Sequence, residues 1–163
     1  MKWRDVGTEV CSVARTLSVV GEPWTLLVLR EAFLQTRRFD DFQRRLGASR
    51  ALVADRLEKL VQHGILERRG YQERPLRHEY RLTQKGLDLY PLIASLAAWG
   101  DRWMDGGKGR PVELVHRDCG HVTTAVLTCS ECGERLDPRH VRSRPGPALG
   151  APGARRWPLR DEA

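Results

Sequence analysis

Residues 39–64 constrain this chain most tightly: a short amphipathic segment, a turn of three residues, and a longer amphipathic segment. In FDDFQRRLG the apolar Phe39, Phe42 and Leu46 recur at spacings of three and four, which predicts a short helix closed by Gly47. The turn is Leu46–Gly47–Ala48. Ser49 then offers a hydroxyl that can accept a hydrogen bond from a free amide of the next helix's first turn. Val53, Leu57, Leu60 and Val61 form an inward stripe up to Gly64, so Arg50, Ala51, Ala54 and Asp55 face outward near the start.

The flanking segments fit around this pair. CSVARTLSVV reads as a helix with Val13, Leu17 and Val20 on one side, punctuated by Gly21 and Pro23. WTLLVLREAFLQ is apolar nearly all round, from Trp24 through Leu26, Leu27, Val28 and Leu29, and is expected in the core. After Gly64, ILERRGY and RHEYRLT alternate as two strands joined by the polar turn QERPL, a hairpin with a basic tip from Arg74 to Arg77. Thr83 is placed to cap a long last helix, QKGLDLYPLIASLAAWGDRWM, which Pro91 kinks or interrupts. The predicted fold is mainly α with a small β-hairpin (α+β): a winged helix-turn-helix over 1–104. A glycine-rich linker at 105–110 leads to a small unit at 111–142. The Pro-, Gly-, Ala- and Arg-rich tail at 143–163 is expected to be disordered.

Shape and charge together point to nucleic acid. A helix presenting its N-terminal turn fits a B-DNA major groove about 12 Å wide. The chain carries a formal charge of +7 and a pI near 9.7. Residues 30–77 hold twelve Arg/Lys against seven Asp/Glu, a local net of +5. Arginine dominates there, and its planar fork suits phosphate and guanine. The expected DNA contacts are Arg38, Ser49, Arg50, Ala51, Ala54, Arg56, Arg74 and Arg77. The plain alternative is a solvated, charge-laced helical face, and a protein-interaction module that never engages DNA is the rival at the level of function. RNA is disfavoured, because no aromatic-bearing sheet platform is evident. An enzyme is not expected, since no phosphate-cradling glycine loop and no nucleophile–base pair is legible. No apolar run approaches the roughly 18 residues of a membrane span, and MKWRDVGTEV lacks a secretory apolar stretch, so the expected compartment is the cytoplasm.

The sharpest chemical signal lies later. His116-Arg-Asp-Cys119-Gly120 and Cys129-Ser-Glu-Cys132-Gly133 are two ligand pairs, each with two intervening residues and a following glycine. That spacing lets two side chains close on one tetrahedral ion, and glycine lets the backbone turn toward the sulfurs. The intervening VTTAVLT is β-prone, so the unit reads as a zinc ribbon. Three thiolates and one imidazole leave no open position, which makes the expected zinc structural. His121 is the alternative fourth ligand and His140 a weaker one; reduced cysteines without metal are the competing reading.

Three stretches resemble the HxlR-type family of winged helix-turn-helix regulators, relatives of the MarR-like regulators, from about Cys11 to Trp103. They are CSVARTLSVVGEPWTLLVLREAF, RRFDDFQRRLGASRALVADRLEKLVQHGILERR and HEYRLTQKGLDLYPLIASLAAWG. The resemblance implies a homodimer on a pseudo-palindromic operator, with recognition helices about 34–36 Å apart. It implies repression of a promoter, and an interface built from the first and last helices, which here offer Val13, Leu17, Leu92, Ile93, Leu96, Trp99 and Trp103. It also implies that Ser49 to Gln62 is the recognition helix. The family often has a basic residue where Ala51 stands, whereas here the neighbouring Arg50 is basic; Arg56 matches a family arginine that can brace the fold. Cys11 stands where some members sense oxidants or electrophiles, and the plain alternative is a small buried hydrophobe. A small-molecule effector is a further expectation, with Trp24, Trp99 and Trp103 as candidates to line an apolar pocket.

Overall fold

The computed structural model describes residues 3–74 and 76–150. Helices α1 (Ser12–Val20), α2 (Pro23–Phe33), α3 (Phe39–Leu46) and α4 (Arg50–Gln62) are followed by a hairpin of β1 (Leu66–Glu73) and β2 (Leu76–Leu82). A short α5 (Gln84–Leu87), α6 (Tyr90–Trp103) and a small pair, β3 (Leu114–Val115) with β4 (Val122–Thr123), complete the regular elements. The fold is mainly helical with a two-stranded antiparallel wing, as the sequence predicts. The chain divides into two compact units. One is Trp24–Leu127; the other takes the described residues on either side, through Pro23 and from Thr128.

One core organises the larger unit. Val28, Leu29 and Ala32 of α2 are buried, with Phe42 of α3, Val53, Leu57 and Leu60 of α4, Ile65 just before the wing, Leu66 and Tyr80 of the wing, and Ala94 of α6. Of the predicted stripes, Phe42 on α3 and Val53, Leu57 and Leu60 on α4 are buried, while Phe39, Leu46 and Val61 are half-buried. Their burial removes apolar surface from water at about 25 cal/mol per Å², the main stabilising effect for a unit of this size. In α2 only part of the apolar run is fully buried: Trp24, Leu26 and Leu27 are half-buried, while polar Thr25 and Glu31 are buried instead.

The tight turn between α3 and α4 has a local cause. Gly47 adopts φ +62°, the left-handed region in which a side chain is strained, and its N–H donates to the Gln43 carbonyl at 3.0 Å. Ser49 Oγ accepts from the Leu52 amide at 3.3 Å, the predicted cap. The wing pairs Leu66 with Leu82 and Glu73 with Leu76, so both strands reach further into QERPL than expected. A register shift between Gly70 and Gln72 leaves Tyr71 as a bulge. The segment before α3 also joins the wing: the Tyr80 amide donates to the Arg37 carbonyl at 2.8 Å, and Arg38 bridges Glu79. That third edge is too short to show as alternation in the sequence.

The last predicted helix is two. Thr83 caps α5, its Oγ1 accepting from the Gly86 amide at 3.2 Å and donating to the Gly64 carbonyl at 2.6 Å. Pro91 has no N–H to continue a helical ladder, so α5 stops at Leu87 and α6 restarts with Pro91 in its first turn.

In the smaller unit Val6 and Val20 are buried, and Cys11 is the extended residue just before α1. Of the expected tail, Pro147–Gly150 forms a 3-10 turn, and 151–163 lie outside the described residues.

Candidate nucleic-acid interface

The leading end of α4 stands open. Ser49, Arg50, Ala51 and Ala54 are exposed, while Val53 and Leu57 anchor the helix from beneath. Arg50 lies across the turn, its guanidinium 3.1 Å from Asp40 and stacked over the Phe39 ring at 4.5 Å. An exposed pair of this kind is worth about 0–1 kcal/mol, so it orients Arg50 without committing it. Arg38 lies over the bulged Tyr71 ring at 4.9 Å, beside the wing. Arg74 and Arg77 are exposed at the wing tip with no ion-pair partner among the described residues. Arg56 is placed differently: its side chain is only 21% exposed and pairs with Asp55 at 2.9 Å, so it runs along the body of the domain. Arg44, not among the expected contacts, is well exposed on α3 and pairs with Asp41.

Behind this face sits a buried carboxylate that the sequence reading did not single out. Glu31 of α2 is 5% exposed and accepts from Arg45 Nε of α3 at 2.6 Å, from Arg30 at 2.7 Å and from Thr36 Oγ1 at 3.2 Å. Burial pushes its pKa up, but hydrogen bonds from Arg45 and Arg30, with their charges, outweigh burial and hold the carboxyl below its ordinary range. The available signal was one acid inside the apolar run WTLLVLREAF. The acid fixes α3 to α2, and with it the angle at which α4 is presented.

The His116–Cys119 and Cys129–Cys132 pairs each sit in a turn of the same form. The Gly120 amide donates to the His116 carbonyl at 2.8 Å and the His116 amide to the His121 carbonyl at 2.9 Å. In the second turn the Gly133 amide donates to Cys129 at 2.9 Å and the Cys129 amide to Glu134 at 2.8 Å. Gly120 and Gly133 share φ values of +71° and +75°. His116 Nδ1 lies 3.3 Å from Cys119 Sγ. Amides of Cys132 and Glu131, then the Cys132 side chain, hold the Cys129 thiol below its ordinary pKa. His116 thus occupies the place of Cys129, and His121 the place of Glu134, where its carbonyl closes the turn. Among the described residues no three His, Cys, Asp or Glu side chains are gathered closely enough to hold a metal ion.

Two further expectations concern surfaces. Leu92, Leu96, Trp99 and Trp103 are all exposed, at spacings that put them on one side of α6; Ile93 is half-buried. On α1, Val13 and Leu17 are exposed. Cys11 is half-buried, and the nearby Arg15 donates to Ser12 Oγ at 3.3 Å. Among the described residues no helix is long and apolar enough to cross a membrane.

This architecture has close relatives. The model of the HxlR-like helix-turn-helix family matches residues 19–108. The HTH-type transcriptional regulator Rv3095 of Mycobacterium tuberculosis is 45% identical over 140 residues, 86% of this chain and 89% of that protein, a stretch longer than the family match. The crystal structure of PA1607, described as a transcription factor, superposes with a TM-score of 0.75 at 34% identity, covering 85% of this chain and 96% of that one. The redox regulator HypR in its reduced form gives 0.53 at 28% identity over 56% of this chain and 92% of its own. A capped helix presented beside a basic wing, matched at this level and over this length, assigns the chain to the HxlR-like helix-turn-helix family.

Proposed function

We propose that the protein is a transcriptional regulator that binds operator DNA as a homodimer and acts by occupancy, not catalysis. The observation that carries this is the open first turn of α4, which presents Arg50 and is held on the core by Val53 and Leu57, together with exposed Arg74 and Arg77 at the wing tip. Arg50, Ala51 and Ala54 enter the major groove and read base edges, while Arg38, Arg74 and Arg77 bind phosphates on either side. The exposed stripe on α1 and the exposed stripe on α6 each offer apolar area that two copies can bury, and two recognition helices then face a pseudo-palindromic site. A compact dimer seated on a promoter represses by blocking polymerase in the cytoplasm. A gel-shift series on the chain's own promoter region tests the reading. Affinity should fall steeply with salt as phosphate contacts release counterions, and flat, sequence-blind weak binding at all salt concentrations would defeat it.

Two accessory features belong to this reading. His116, Cys119, Cys129 and Cys132 are proposed to take one structural zinc. Its support is local: each pair sits in the same glycine-closed turn. Cys11 is proposed as an oxidant-responsive thiol, supported by its partial exposure and by the likeness to HypR.

A further inference from the structure

Within the larger unit, α2, α6 and the β3–β4 segment line a cavity of about 480 Å³ that opens to solvent on one side. Pockets that hold small organic ligands run from about 300 to 1,000 Å³. Phe33 at the end of α2, the following Leu34, and Ile93 and Ala97 of α6 line it, together with Val112 and Leu114. The space exists for a sequence reason. Along α6 the residues facing it include Ala94, Ala97, Ala98 and Gly100, too small to fill the gap between the helices and the segment that crosses them.

The charges at the wall are unbalanced. Arg30, Arg110 and Asp101 all line the cavity. The side chains of Arg110 and Asp101 have no hydrogen-bond or ion-pair partner among the described residues, and the Arg30 side chain is 46% exposed. Two cations against one carboxylate beside an apolar wall match a ligand with one anionic head and an apolar body. Arg30 is also the residue that shares Glu31 with Arg45 of α3.

We propose that this cavity binds an organic anion with an aromatic-sized apolar body, and that its head group draws Arg30 off Glu31. Glu31 is then left to Arg45 and Thr36, so the seating of α3 answers to occupancy of the cavity. The consequence for gene regulation rests on the DNA-binding reading above; the site and its link to α3 do not.

The test uses the full-length protein without DNA. 2-Naphthoate is the probe, and 2-naphthalenemethanol is its neutral counterpart. Calorimetry should show saturable binding of 2-naphthoate, weaker by about tenfold or more for the neutral compound. Ala97→Trp, at a position open enough to accept a larger side chain, should abolish binding, and Arg110→Gln should weaken it severalfold. In 1H–15N spectra the Arg45 Nε–H resonance should move with saturation in the parent and stay fixed in Ala97→Trp. Absence of saturable binding, or equal binding by Ala97→Trp or by the neutral compound, overturns the site. Binding that leaves the Arg45 resonance in place overturns the link. Failure of the parent to bind operator DNA defeats the regulatory reading and leaves these readouts intact.

Discussion

Glu31 on α2 and Arg45 on α3 meet at 2.6 Å, one side chain almost wholly buried and the other half in water. Through that contact the first helix of the helix-turn-helix pair is fastened to the core. Its carboxyl is held below the ordinary range by its hydrogen-bond donors. A lowered native pKa stabilises the fold above the unfolded value, roughly pH 4.3, and the gain is lost as pH falls through the native value. Glu31→Gln should cost about 2 kcal/mol at neutral pH, less than a fully buried pair because both arginines can turn to solvent. The gap between parent and variant in urea unfolding should close as the solution is acidified.

Gly86 has no room for a methyl group. A Cβ there would lie 2.2 Å from the Ile65 carbonyl oxygen and 2.9 Å from Leu82, where α5 crosses the base of the wing. Gly86→Ala should therefore destabilise by about 1–3 kcal/mol, read as a lower Tm, although alanine is the better helix former.

Arg50 and Arg77 should separate sequence reading from phosphate binding. Arg50→Ala removes the only basic residue of the recognition helix's open turn and should cost about 1–3 kcal/mol on operator DNA, with little effect on random duplex. Arg77→Ala should weaken both equally and flatten the salt slope by about one unit. Parent-like operator affinity in both variants sinks the assignment.

Leu96 and Trp99 on α6 are 48% and 58% exposed. If this side joins two copies, Leu96→Glu and Trp99→Glu should each shift the protein to monomer in sedimentation velocity and lose operator binding, with the helical circular dichroism unchanged.

Zinc is checked by elemental analysis of protein purified without added metal. One equivalent per chain is expected, and Cys132→Ser should lower it together with Tm. His116→Ala should behave like Cys132→Ser and His121→Ala like the parent, because the His121 carbonyl, not its ring, closes the first turn.

The sequence alone determined the elements whose causes are local. Periodicity marked α3 and α4, Gly47 and Ser49 fixed the turn and cap between them, and Pro91 marked the break before α6, because dihedral preference and capping act within a few residues. The exposed candidates on α4 and the wing tip were legible for the same reason, as an inward stripe defines an outward face. Only the tertiary structure decided that Arg56 lies along the body, that Arg37 and Arg38 extend the wing, and that Glu31 gathers two arginines. Those outcomes depend on residues distant in sequence meeting around one core, and neither period nor composition encodes which partner a buried charge will find.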